Sequence, residues 1–124
     1  MADSKKISGT CYIKIDGEQI AVEGSVEIPL TTVVRETKIG STGVVGYGET
    51  PRTPYIKCSA FLTADFPIDK ISSSDDMTVT AELANGWVYT LSQAWLVGEI
   101  SGSMSDGTTS LEFNGIDGFL QTGN

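Results

Sequence analysis

Four groups of residues have types and spacings that could do chemistry, and each has a plainer reading. Gly40-x-x-Gly43-x-x-Gly46-x-Gly48 looks like a phosphate-cradling loop. Such a loop works because backbone N–H groups converge on an anion at a helix N-terminus, and it closes with Lys-Ser/Thr in a βαβ setting. None of those companions is present, so flexibility is the better reading of the glycines. Asp65, Asp69, Asp75 and Asp76 could hold calcium or form paired carboxylates. They lack EF-hand spacing, and acids flanking a short helix are usually caps or solvated charge. Trp87, Tyr89 and Trp95 could form a sugar-binding platform, but aromatics at strand spacing more often fill a core or an interface. Cys11 and Cys58 are far apart, have no CxxC spacing and are too few for a structural zinc. They read as reduced thiols in or near the core. A disulfide would need the fold and an oxidising compartment to bring them together.

The chain has no histidine. That excludes Ser-His-Asp and Cys-His machinery, His-ligated zinc and an imidazole pH switch. No catalytic residue, metal or cofactor is expected. The 124 residues carry 8 bases against 16 acids, a net charge of -8, and form a single domain spanning 1–124. A surface this acidic repels phosphate backbones. Residues 1–6 are polar and show no signal-peptide core, and no apolar run approaches the ~20 residues of a membrane span. Cytoplasmic synthesis without membrane insertion is the expectation.

The elements that must position these residues read as β. Asp16-Gly17, Asn85-Gly86 and Asp106-Gly107 suit two-residue hairpin turns, and Thr, Val, Ile and aromatics fill the segments between. An Asp16-Gly17 loop sets Ile15 opposite Glu18, Ile13 opposite Ile20 and Cys11 opposite Val22, on one apolar face. A two-residue Asn85-Gly86 loop leaves neither face of its hairpin wet. Met77, Val79, Ala81 and Leu83 share one face with Val88, Thr90 and Ser92, while Trp87, Tyr89 and Leu91 lie on the other. Either a bulge shifts this register or both faces are covered, and the second is favoured here, with a partner subunit covering Trp87, Tyr89 and Leu91. Further strands are expected near 25–28, 55–63, 95–100 and 110–113. One short helix is expected after Asp65 as N-cap, with Pro67 in its first turn, ending within 72–75. Residues 30–54 are both glycine-rich and sticky: Val33, Val34, Ile39, Val44, Val45 and Tyr47 suit an arm that becomes ordered on another subunit.

The order of these features resembles the tail tube proteins of Mu-like contractile-tailed bacteriophages, from about Gly9 to Gly115. The resemblance rests on Gly9-Thr10-Cys11-Tyr12-Ile13 leading to Asp16-Gly17 and on Gly43-Val44-Val45-Gly46-Tyr47-Gly48-Glu49-Thr50-Pro51-Arg52-Thr53-Pro54-Tyr55-Ile56. Its third part is Thr78-Val79-Thr80-Ala81-Glu82-Leu83-Ala84-Asn85-Gly86 leading to Ala94-Trp95. Cys11 and Cys58 are not motif positions. The resemblance implies an all-β sandwich or small barrel with one helix and a long hairpin arm, assembled into hexameric rings that stack into a hollow tube. It implies a structural, non-enzymatic role in the virion tail, assembled in the bacterial cytoplasm, with DNA passing through unbound. Tail sheath, tape measure and baseplate or terminator proteins are the implied partners. The tube of a phage-derived secretion or tailocin-like particle is the alternative within this class, and a monomeric carbohydrate-binding β-sandwich the alternative outside it.

Overall fold

The computed structural model describes residues 11–103 and 105–122; Gly9, Thr10 and the polar residues 1–6 lie outside them. In chain order the elements are β1 (Tyr12–Ile15), β2 (Glu18–Ile20), β3 (Val22–Glu27), β4 (Val33–Gly40), β5 (Gly43–Pro51) and β6 (Tyr55–Phe61). There follow α1 (Ile68–Ser73), β7 (Met77–Glu82), β8 (Val88–Leu96), β9 (Gly102–Ser103) and β10 (Thr108–Gln121). The main sheet runs β2-β1-β7-β8-β10-β6-β3, with β9 beside β10. Only Ala21 separates β2 from β3, so one run of chain pairs with β1 at its start and with β6 further on. The Ala21 carbonyl accepts a hydrogen bond from Phe61 N at 2.9 Å at that corner. The sheet thereby curls back on itself into a nearly closed barrel.

Alternation fills the barrel. Ile13, Ile15, Ile56, Val79, Leu91 and Phe113 are fully buried from five strands, and Ile71 of α1 joins the same cluster. The Asp16-Gly17 hairpin has the expected register, Ile13 opposite Ile20 and Ile15 opposite Glu18. Both turn residues take positive φ, 51° and 87°, as a type I′ turn requires. Asp16 also pins this turn to its neighbours. Its Oδ1 accepts from Thr78 N at 2.8 Å, and its Oδ2 lies 3.4 Å from Lys70 Nζ on α1. The pairing stops at Ile20, however: Val22 opposes Ala60 rather than Cys11.

The second hairpin departs from expectation by one residue. Leu83 N donates to Trp87 O and Gly86 N to Leu83 O, closing a three-residue loop of Ala84, Asn85 and Gly86 with Gly86 at φ 95°. Ala81 therefore opposes Tyr89 and Val79 opposes Leu91. A slip of one residue exchanges faces. Tyr89 and Leu91 turn inward and are buried, while Val88, Thr90 and Ser92 turn outward and are half-buried. The register shift alone accounts for the apolar residues Tyr89 and Leu91 that the two-residue loop left on the outer face.

Two other boundaries differ. β10 is 14 residues long rather than four, and β8 ends where a strand over 95–100 was expected to begin. Glycine is needed in β10, because a Cβ at Gly115 would stand 2.8 Å from Leu91 Cγ, and one at Gly118 would collide with the Tyr89 hydroxyl. Helix α1 ends as expected, with Ser74 as C-cap, but Pro67 occupies its N-cap position and makes no side-chain capping bond. Asp65 does not cap it; Asp65 Oδ1 accepts instead from Thr63 Oγ1 at 2.7 Å.

Candidate assembly surface

The arm is a sheet of its own. β4 and β5 pair from Val33–Pro51 to Gly40–Gly43, with a bulge at Val45. Partners opposite one another share a face, so the register sorts the arm into two unlike sides. One side carries Val33, Arg35, Thr37 and Ile39 with Pro51, Glu49, Tyr47 and Val44. The other carries Val34, Glu36 and Lys38 with Thr50, Gly40, Gly43, Gly46 and Gly48. The glycines read as a flexible loop are thus strand residues on one face. Gly43 alone of the four takes positive φ. Gly40 and Gly48 make room instead, for Val45 and for the Lys38 stem, which would lie 2.9 and 3.2 Å from an added Cβ.

Cross-strand chemistry holds the hairpin in register. Arg35 Nε reaches Glu49 Oε2 at 2.9 Å, and its guanidinium lies 4.9 Å from the centre of the Tyr47 ring. Lys38 pairs with Glu36 at 2.9 Å along β4 itself, on the glycine side, and so adds nothing to the register. Exposed pairs of this kind contribute well under ~1 kcal/mol each. Backbone pairing is therefore complete within one chain, and cover is what the chain lacks. Ile39, Val44 and Val45 are 74–76% exposed and Tyr47 is 60% exposed; Val34 is exposed and Val33 half-buried. These apolar residues are gathered in one hairpin rather than scattered singly over the surface, which makes the arm the candidate for an interaction surface.

The arm leaves the barrel at Thr53–Pro54, where Tyr55 opens β6. Tyr55 is buried, its hydroxyl donates to Glu27 Oε2 at 2.8 Å, and Arg52 lies 4.9 Å over its ring. Sequence reasoning missed this root, although Arg-x-x-Tyr-x-Lys at the end of a sticky segment was there to be noticed. It also missed Ile116 and Phe119 of β10, 60% and 66% exposed. The strand changes its inward parity after Gly115, which opposes Ala94 beside Gln93, a residue at φ 51°.

The sheet residues expected at an interface are placed otherwise. Tyr89 is 4% exposed and Leu91 0%, both inside their own barrel, so neither needs a partner subunit to cover it. Trp87 is half-buried beside the Ala84–Gly86 loop. The same burial of Tyr89 breaks up a sugar platform with Trp87 and Trp95. Burial raises the Tyr89 hydroxyl above its ordinary pKa, with Tyr55 adding to the shift. Cys11 and Cys58 are both free thiols, and burial pushes Cys58 up to about 12. Among the described residues no His/Cys/Asp/Glu cluster could hold a metal, and no helix is long and apolar enough to cross a membrane.

The family model for the phage tail tube protein matches residues 4–119. The chain belongs to that family. No curated protein matches by sequence. Among solved structures, Hcp1 from Flavobacterium johnsoniae is similar with a TM-score of 0.63 at 11% identity, over 91% of this chain and 95% of that one. The sheath/tube terminator of an extracellular contractile injection system, PVC, is similar with a TM-score of 0.61 at 12% identity, over 90% and 92%. The tube-terminating cap of the anti-feeding prophage gives 0.59 at 13%, over 91% and 88%. At such identities these likenesses speak for the fold, which they share over nearly its whole length.

Proposed function

We propose that this member of the phage tail tube family forms hexameric rings that stack into the hollow inner tube of a contractile tail. The observation that carries the reading is the arm, a paired hairpin standing outside the barrel with Ile39, Val44, Val45 and Tyr47 open to water. An isolated two-stranded hairpin is marginal in water. Cover from a neighbouring copy stabilises it and joins one ring to the next. The residues placed at this joint are Val33, Val34, Ile39, Val44, Val45 and Tyr47.

The barrel supplies a rigid wall and the net charge of -8 keeps that wall from holding DNA phosphates. DNA then passes on ejection without specific binding. The protein acts mechanically, with no catalytic step. Relatives of known fold come from a sheath/tube terminator and a tube-terminating cap, which supports a tail sheath and terminator or baseplate proteins as partners. A tape measure protein fills the bore, and assembly takes place in the host cytoplasm before the tube serves in the virion tail.

Size-exclusion with light scattering and negative-stain microscopy of the purified chain test the reading. Rings or tubes are expected. A stable monomer near 13.2 kDa at every concentration up to the millimolar range overturns it.

A further inference from the structure

Six cations lie among the described residues, and four of them find carboxylates within the chain: Lys14 with Glu82, Arg35 with Glu49, Lys38 with Glu36, and Lys70 with Asp16. The remaining two, Arg52 and Lys57, make no ion pair among the described residues. They are not scattered. Arg52 Cζ lies 4.9 Å and Lys57 Nζ 5.2 Å from the centre of one ring, that of Tyr55. Two cations without an ion pair on a single aromatic are conspicuous in a chain with 16 acids to 8 bases.

The surroundings leave the pair available. An open recess of about 330 Å3 at the arm root is lined by Arg52, Thr53, Tyr55, Lys57, Glu112 and Asn114, among others. Glu112 and Glu27 flank Lys57 in register from β10 and β3. Neither forms an ion pair with it, and Glu27 Oε2 is already engaged by the Tyr55 hydroxyl. Buried Tyr55 gives both exposed cations one ring to rest on, and a guanidinium resting on a ring face still presents its N–H fork sideways to an incoming carboxylate.

Charge balance says where that carboxylate comes from. Residues 30–54 hold three bases and two acids, a balance of +1, while the rest of the chain holds five bases and fourteen acids, a balance of -9. Two barrels brought together repel, and the contact between copies that relieves the repulsion sets cations against an acidic barrel. We infer that the Arg52–Tyr55–Lys57 stack receives a carboxylate side chain from the barrel of a second copy. It forms the electrostatic half of a joint whose apolar half is the arm. This rests on the tube reading above.

A zero-length carbodiimide couples a lysine amine to a carboxylate in contact with it, and mixing isotope-labelled with unlabelled chains marks couplings between copies. In assembled wild type, Lys57 is expected among the inter-copy couplings found by mass spectrometry. The double variant R52Q/K57Q is expected to keep the monomer's melting temperature and raise the critical concentration for assembly at least tenfold at 50 mM salt. That difference shrinks towards none at 1 M, where exposed charges are screened within ~3 Å. Tubes that form with Lys57 coupled only within its own chain, or a variant that assembles like wild type at low salt, overturn the inference and leave the tube reading standing. A chain that never assembles overturns both.

Discussion

Barrel and arm solve the same problem in opposite ways. Each has alternating strands rich in Val and Ile, and each has glycines where backbone or side chain must pass closely. The barrel turns Ile13, Ile15, Val79, Leu91 and Phe113 inward until none is more than 1% exposed. The arm has only two strands and therefore no inside; the same residue types end in water. What differs is closure, not composition. A sheet that curls back on itself is complete as one chain, and a hairpin standing apart is complete only against something else.

The largest expected difference between the two is the response to losing a large side chain. Phe113 is fully buried at the middle of β10 and paired across to both Ile56 and Leu96. Phe113→Ala should destabilise the domain by about 3–5 kcal/mol, through lost transfer energy and the cavity left behind. Urea denaturation of the monomer checks this. A loss below about 1 kcal/mol would mean that the barrel collapses around the gap and is far less tightly packed than its burial implies.

How much of this contrast could be read from sequence depended on local signals. Asp16-Gly17 fixed its own hairpin because a positive-φ pair and an apolar face agreed on one register. The arm was legible because apolar residues interleaved with glycines suit neither a core strand nor a disordered linker. The Asn85-Gly86 hairpin was misread because two- and three-residue loops use the same dipeptide, and one residue exchanges the faces of Tyr89 and Leu91. β10 runs well past the expected 110–113, straight through Gly115 and Gly118. They are glycines because Leu91 and Tyr89 press against them from β8, a contact that is distant in sequence. The stack of Arg52 and Lys57 on Tyr55 was within reach, because Arg-x-x-Tyr-x-Lys sets all three within six residues and Tyr55 and Lys57 on one strand face.

A middle-sized effect tests how dry the barrel is. Burial pushes the Cys58 thiol from its usual 9.0 to about 12. The folded chain thus keeps a proton that the unfolded chain has released. Stability from the neutral thiol is complete below about pH 9 and falls as pH rises towards about 12, by no more than about 1.4 kcal/mol per pH unit. Other groups titrate in that window, so the comparison is with Cys58→Ala, whose stability should decline less steeply between pH 9 and pH 11. Equal slopes would show that water reaches the thiol. Alkylation should agree: at pH 8 Cys58 is expected to react only through unfolding, because the thiolate is the nucleophile.

The smallest effect on the fold belongs to the arm and is the sharpest test of the contrast. Replacing Val44-Val45-Gly46-Tyr47 with a Gly-Ser run of equal length removes two exposed valines and the Tyr47 ring beneath Arg35, yet touches nothing in the barrel cluster. Exposed substitutions of this kind shift stability within about 0.5 kcal/mol. The monomer's denaturation midpoint and its β-type circular dichroism should therefore match wild type. Assembly should respond in the opposite sense. The replaced side chains are the apolar area offered to a neighbour, worth roughly 25 cal/mol per Å2 once covered, and each added glycine raises the entropy lost on ordering the strand. The expected result is a soluble folded domain that no longer grows into long tubes. Full-length tubes from this variant would make the arm dispensable to assembly. A variant that unfolds would make it part of the core, and the division between a closed barrel and an open arm would fail.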